Sequence, residues 1–278
     1  MRILALWAAF LVFAPSVQAG LRLGDIFAHK IPEADQVLEQ FNHGRAQTAL
    51  PARFKVVVWN THKEVHPLMT HQMTEFTETH DLFLGQEGWL LDPFIDVLQK
   101  NPDWEWSFAS SFYYDGKGTG VYTGARASAV KSEYRRSHFR EPIIKSPKVA
   151  VINYYRIEGT EKLLLTINLH ALNIVAKYKN LDQLKELEKI IEKHDGPVIY
   201  AGDFNSWSED RLIYLQEMRQ RLGLSEVSFF PDNRKLFHGK NVFDHSYIRN
   251  LKQTWSQAKP RIGTSDHTAM EFEVEYEE

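Results

Sequence analysis

The sequence contains no cysteine. That excludes disulfide cross-links, thiolate metal sites, a thiol nucleophile and a lipid-modified N-terminal cysteine. A chain of 278 residues can bury a core large enough to do without cross-links, so an exported protein of this size needs none. A basic excess is missing too. Lys and Arg number 33 against 36 Asp and Glu, for a net charge of −3. Proteins that hold nucleic acid by bulk electrostatics are usually basic. Stable, stoichiometric binding of a long polyanion therefore gains no support. Transient engagement of a phosphate through a metal fits this balance. Beyond the N-terminus no apolar run approaches transmembrane length. The sequence also shows no internal repeat, no low-complexity tract and no domain linker.

The composition that is there, 43% hydrophobic and 25% charged, is ordinary for a globular protein. Residues 1–19 stand apart. Arg2 is followed by the apolar run Ile3–Ala14, then by a short segment with Val17 and Ala19 in the small-residue positions before a cleavage site. This pattern predicts a secretory signal peptide cleaved after Ala19, and hence a periplasmic or secreted protein. The competing reading is an uncleaved N-terminal anchor. Loss of Arg2 would bring the net charge from −3 to about −4. Residues 20–52 are weakly patterned and predict an N-terminal extension, with one helix over Ile31–Phe41. Residues 53–278 predict the folded domain.

The opening strand of that domain is Phe54–Trp59, ending at Asn60. A helix over Pro67–His80 leads to a strand over Asp81–Gln86, ending at Glu87. A short helix over Asp92–Gln99 follows. Trp106–Ala109 and Gly120–Thr123 predict strands, as do Val149–Ile157 and Lys162–Leu169, the last ending at His170. Tyr178–His194 predicts an amphipathic helix with Leu181, Leu184, Leu187 and Ile191 buried. Pro197–Trp207 reads PVIYAGDFNSW: a β-prone run, a turn at Gly202, then Asp203 and Asn205. Ser206 or Ser208 then caps a helix carrying Leu212, Leu215, Met218 and Leu222. Strands over Val242–Ile248 and Thr268–Val274 complete the chain. Strands outnumber helices, and hairpins mix with strand–helix–strand units. That predicts a mixed, largely antiparallel sheet system covered by helices.

The strand ends carry a complementary set of polar groups. Glu87, Asp266 and Asn60 offer hard oxygen ligands that suit Mg²⁺ or Mn²⁺. His267 and Asp244 suit a base and its orienting carboxylate. Asn205 and His170 can donate hydrogen bonds to a charged oxygen. These are the parts that phosphoryl transfer needs. For any one of them alone, a capped turn or a satisfied polar residue is the commoner explanation.

The motifs VVVWN, LGQE, INLH, AGDFN, FDHSYI and TSDH fall in an order and spacing that resembles the endonuclease/exonuclease/phosphatase superfamily, the fold of DNase I. The resemblance covers Phe54 to Glu275. The stretch from Gly120 through REPIIKSPKVAVINYY also resembles the YafD-like branch. It implies an α/β (α+β) fold, a four-layer sandwich of two packed mixed sheets flanked by helices. Glu87 is implied as principal metal ligand, helped by Asn60 and Asp266. Asp203 would align or deprotonate the attacking water, and Asn205 would contact the phosphate or that water. His267, oriented by Asp244, would stabilise or protonate the phosphoryl group. His170 would contact phosphate from the other side. The Glu that partners this histidine in the family has no evident equivalent. A further acid ligand found in some members corresponds to His62, which could be a ligand but is read as an exposed loop residue. His245 is read as facing away from the site.

Arg140, Lys145 and Lys148, with Arg135 and Arg136, form the densest basic stretch. It is read either as phosphate-holding, through Arg140 and Lys148, or as a solvated edge loop. The aromatic cluster Trp104, Trp106, Phe108, Phe112, Tyr113 and Tyr114 could stack bases or contact lipid, and is read as core plus a sticky loop. The expected activity is an Mg²⁺- or Mn²⁺-dependent phosphodiester hydrolase, a nuclease, acting as a monomer. Two rivals stand beside it. One is a phospholipid, sphingomyelin or phosphomonoester hydrolase on the same site. The other is a non-catalytic binding protein on the same fold.

Overall fold

The computed structural model describes residues 29–64, 66–260 and 264–277. The expected signal peptide lies outside the described residues. Alternation along the strands sorts side chains into layers. In β2 (Arg53–Asn60), Val56 and Val58 face one way and Val57 and Trp59 the other, and all four are buried. A strand buried on both faces reads as one continuous apolar run, as FKVVVW does. In β9 (Val198–Asp203), Ile199 and Ala201 join Val56 and Val58 in the core between two sheets. Val198 and Tyr200 face helices instead. Burying each such Val or Ile contributes about 1.5–3 kcal/mol.

The first sheet holds β1 (Leu38–Phe41), β4 (Glu105–Tyr114), β5 (Lys117–Ala125), β3 (Leu82–Trp89), β2, β15 (Met270–Tyr276) and β14 (Leu251–Gln257), in that spatial order. The second holds β10 (Ser225–Glu226), β13 (Asp244–Arg249), β9, β8 (Leu164–His170), β7 (Pro147–Tyr155) and β6 (Lys131–Arg140). A small hairpin, β11 (Leu236–Phe237) with β12 (Asn241–Val242), stands apart. Helices α1 (Met69–Thr79) and α2 (Asp92–Lys100) cover the first sheet. Helices α3 (Lys177–Glu192) and α4 (Glu209–Arg221) cover the second. The result is the expected four-layer α/β sandwich. Only β2–β3 and β8–β9 pair in parallel; the other ladders are antiparallel. Among the described residues no helix is long and apolar enough to cross a membrane.

Three elements differ from the sequence expectation. Ile31–Phe41 is a single 3₁₀ turn at Ala34–Gln36 followed by β1, not one helix. Pairing with β4 supplies β1 with partners that its own sequence does not announce. Leu50 is fully buried between the sheets, so the N-terminal segment is part of the core wall. The basic stretch up to Arg140 is the edge strand β6, whose charged side chains face water. The polar β14 pairs only with β15, across a bulge at Gln253–Trp255. The aromatic run behaves as read: Trp104, Trp106 and Phe108 are fully buried.

Gly202 sits where β9 passes closest to β8. Its φ is +136°, and a Cβ there would stand 2.1 Å from the carbonyl oxygen of Leu169. Gly116, at the tip between β4 and β5, also has positive φ but open space around it. Gly202→Ala is therefore expected to cost at least about 2 kcal/mol, lowering Tm by about 4–8 °C. Gly116→Ala should cost about 1 kcal/mol or less. Calorimetry of both variants checks this, and equal losses would contradict it.

Candidate active site

The carboxyl ends of four strands meet along one rim. In the second sheet His170, Asp203 and Asp244 form a row. The register pairs His170 with Asp203 across β8–β9, and Asp203 with Asp244 across β9–β13. In the first sheet Asn60 ends β2 opposite Gln86, and Glu87 comes next. The β3–β5 ladder shifts register between Gln86 and Gly88, and Glu87 takes a φ of +58°. A bulge of this kind re-aims a side chain out of the strand alternation. The segment before β15 arrives at the same rim. The Trp59 indole N–H donates to the carbonyl of His267 at 3.0 Å. The Ser265 hydroxyl donates to the carbonyl of Asn60 at 2.6 Å.

Asn60 joins the two sheets. Its Nδ2 donates to Glu87 Oε1 at 3.3 Å and to Asp203 Oδ2 at 3.2 Å. His267 Nδ1 bonds Asp244 Oδ2 at 2.7 Å. Lys148 Nζ lies 3.0 Å from His170 Nε2. That nitrogen lies 3.9 Å from Glu87 Oε1 and 3.7 Å from Asp203 Oδ2. Asp266, half exposed, carries His62 Nδ1 at 3.2 Å on one oxygen and Lys235 Nζ at 2.5 Å on the other. Lys235 Nζ is also 3.0 Å from His267 Nε2. Lys63 Nζ stands 3.8 Å from Glu87 Oε2. Asn205, at φ +51°, donates its backbone N–H to Asp203 Oδ1 at 2.9 Å and one amide N–H to the carbonyl of Ala171 at 2.9 Å.

Electrostatics divide these groups by role. Burial opposes ionisation of Glu87, but Lys63, with Lys148 and the neighbouring imidazoles, outweighs it and holds the carboxyl well below the usual range. Burial and the Lys148 ammonium push His170 well below its ordinary value. His170 is therefore neutral at pH 7, and the cationic hold on Glu87 comes from the lysines and the His267 imidazolium. Burial, with Asp244 beside it, lifts Asp203 to about 7. Burial disfavours the His267 cation, but the Asp244 carboxylate prevails and lifts the imidazole to about 9. Asp266 is held low by His62, His267 and Lys235 against the opposing effect of burial.

The donor set fits a hard divalent cation. The contacts of Glu87 with Asn60, Lys63 and His170 span 3.3 to 3.9 Å, leaving its oxygens weakly engaged. Asp244 Oδ1 is buried without a hydrogen-bond partner. Asp203, Asp244 and His267 offer ligand atoms within 4.8 Å of one another. His267, however, is a cation bonded to Asp244, and a protonated imidazole does not ligate. Asn60 and Glu87, with carboxylate oxygen from the same rim, suit the ion better.

The structure thus brings together Asn60, Glu87, His170, Asp203, Asn205, Asp244, Asp266, His267 and Lys148. Arg140 lies exposed at the end of β6, its backbone in register with Pro147, the residue before Lys148. His62 is exposed, as read, and its Nδ1 pairs with Asp266. His245 faces away as expected, buried between Ser206 and Glu226. Lys63 and Lys235 were missed. Lys63 had a signal, lying three residues past Asn60 in NTHK. Lys235 had none, lying 31 residues from Asp266. A separate groove of about 720 Å³, lined by Lys30, Glu39, Tyr113 and Lys117 among others, includes none of these groups.

The raised Asp203 carboxyl opposes folding. An acid whose folded pKa lies above its unfolded value destabilises the fold increasingly as pH rises between the two, here from about 4 to about 7. In EDTA, Asp203→Asn should gain roughly 1–3 kcal/mol over wild type at pH 8 relative to its difference at pH 4. Thermal melts at both pH values test this; a pH-independent difference would refute it.

The family model of the Endonuclease/Exonuclease/phosphatase family matches residues 57–267. A UPF0294 protein of Vibrio campbellii is 32% identical over 254 residues, covering 86% of this chain and 88% of its own. Such relatives support the YafD-like branch. An endonuclease/exonuclease/phosphatase from Beutenbergia cavernae superposes with a TM-score of 0.63 at 13% identity, covering 81% of this chain and 72% of that one. The human Nocturnin catalytic domain, solved with bound sulfate, gives a TM-score of 0.59 at 14% identity, over 82% and 96% of the two chains. At those identities the two structures speak to fold alone. The match to the family model, spread over most of the domain and spanning every motif from the end of β2 to His267, establishes that the chain belongs to the endonuclease/exonuclease/phosphatase family.

Proposed function

We propose that this is an exported, divalent-metal-dependent phosphodiester hydrolase whose substrate is nucleic acid. One observation carries the reading. Glu87 and Asp203, from different sheets, share the carboxamide of Asn60, with the His267–Asp244 pair beside them. A binding protein gains nothing from holding these groups together against burial and repulsion. Export is supported by the N-terminal pattern of Arg2, an apolar run and a small-residue end.

Glu87 and Asn60, with Asp266, would hold Mg²⁺ or Mn²⁺. The chemistry such an ion supplies is Lewis-acid polarisation of a phosphoryl oxygen. Asp203, lifted to about 7, is poised to take a proton from water near neutral pH. Asn205 steadies that carboxylate through its backbone N–H. His267 is a cation with Nδ1 committed to Asp244, so Nε2 is its free donor. Nε2 and Lys235 Nζ, both donors, lie 3.0 Å apart. A phosphoryl oxygen between them would satisfy both and relieve their repulsion. Lys148 offers a cation on the opposite, His170 side.

Activity should vanish in EDTA and return with Mg²⁺. Asp203→Asn and His267→Ala should each lower kcat by at least about 100-fold; the first should do so with no loss of thermal stability, whereas the second leaves the buried Asp244 carboxylate without its cation and should lower Tm. The assay compares duplex DNA, single strands, RNA, sphingomyelin and a chromogenic diester. Hydrolysis of lipid alone would overturn the nucleic-acid reading. Inactivity on every substrate would favour a binding protein.

A further inference from the structure

One group of side chains near the rim takes no part in the reaction outlined above. Trp207, Phe237 and Phe243 run in a line that ends at His267. Ring centroids are 5.7 Å apart from Trp207 to Phe237, 6.1 Å from Phe237 to Phe243, and 6.1 Å from Phe243 to His267. All three aromatics are only partly buried, unlike the fully buried Trp104, Trp106 and Phe108 of the core.

The line is built rather than accidental. Trp207 follows Asn205 by two residues. Its indole N–H donates to Asn173 Oδ1 at 3.0 Å. The buried Arg211 guanidinium lies over its ring, 4.7 Å from the centroid, and donates to the carbonyl of Asn205 at 2.7 Å. Phe237 is carried on the β11–β12 hairpin, in register with Asn241. Asn241 Nδ2 donates to the carbonyl of Trp207 at 2.8 Å, tying hairpin to platform. Arg234, at the base of this segment, donates to the carbonyl of Asp244 at 3.0 Å. Phe243 directly precedes Asp244, and Lys235 Nζ lies 5.3 Å over its ring. The same lysine contacts Asp266 and His267. The hairpin and its two flanking residues therefore carry Lys235, Phe237 and Phe243 together beside His267.

We propose that Trp207, Phe237 and Phe243 form a stacking platform for a nucleobase attached to the phosphate held between Lys235 and His267. The inference rests on the nucleic-acid reading above and adds how the base beside the held phosphate is recognised. The three rings are partly exposed and meet at steep angles, 48° from Trp207 to Phe237 and 77° from Phe237 to Phe243, so they offer edges and faces between which another flat ring can pack. Every base offers a π-face, so such a platform tolerates sequence. Lys235 supplies the local positive charge that the chain as a whole lacks. An aliphatic lipid chain would gain from apolar area but not from planarity.

The test uses the full chain with Mg²⁺ and two oligomers of equal length, oligothymidylate and the same chain with tetrahydrofuran abasic units flanking the cleaved bond. Wild type should favour the base-bearing chain in kcat/KM, and Phe237→Ala should reduce that preference roughly 10-fold. Phe237→Tyr should retain it, and Phe237→Leu should not. Thermal melts confirm that each variant folds. An unchanged preference in Phe237→Ala, with oligomers still cleaved, overturns the platform alone. A leucine variant that keeps the full preference marks a general apolar contact and also overturns it. If wild type cleaves the chromogenic diester but neither oligomer, the nucleic-acid reading and the platform fall together.

Discussion

The carboxamide of Asn60 is the point on which the cleft depends. Two carboxylates from different sheets, Glu87 and Asp203, lie within hydrogen-bond reach of a single Nδ2. Unit charges of like sign 4 Å apart repel by about 4 kcal/mol near a protein surface. Three features oppose that repulsion. Asn60 donates to both, lysines stand beside Glu87, and Asp203 is lifted to about 7 so that near neutrality it is only partly ionised. The fold holds the pair in place from below. Val56 and Val58 of one sheet share a core with Ile199 and Ala201 of the other, so neither strand end can withdraw without opening the packed layer between them.

The two flanks of this centre are electrostatically unlike. On one side Asp244 anchors His267 as a cation through a 2.7 Å bond. On the other, His170 has no carboxylate partner of comparable closeness; Lys148 Nζ sits 3.0 Å from its Nε2. An acid in that place would favour His170 as a cation, whereas burial, together with the lysine, keeps it neutral, and the ammonium carries the charge. The missing second Glu is therefore a relocation of positive charge, from an imidazole to an ammonium.

Much of this was legible in the chain. Continuous apolar runs ending in a polar residue gave β2, β3, β8 and β9, together with Asn60, Glu87, His170 and Asp203 at their ends. That pattern is local: burial on both faces demands an unbroken apolar run, and the break marks where the strand leaves the core. The edge strands β1, β6 and β14 escaped for the complementary reason. They bury little, so their sequences carry weak periodicity, and their structure comes from pairing with partners distant in the chain.

The sequence alone determined which chemical groups exist and their order, and placed Asn60, His170 and Asp203 at strand ends, because those properties follow from residues adjacent in the chain. The tertiary structure decided which of them meet. Register set His170, Asp203 and Asp244 in one row, and the bulge at Glu87 turned its carboxylate toward the other sheet. The packing of a distant loop brought Lys235 to Asp266, and placed His62 on the same carboxylate. Such meetings join residues tens to hundreds of positions apart. They are governed by packing and pairing energies that no local pattern records.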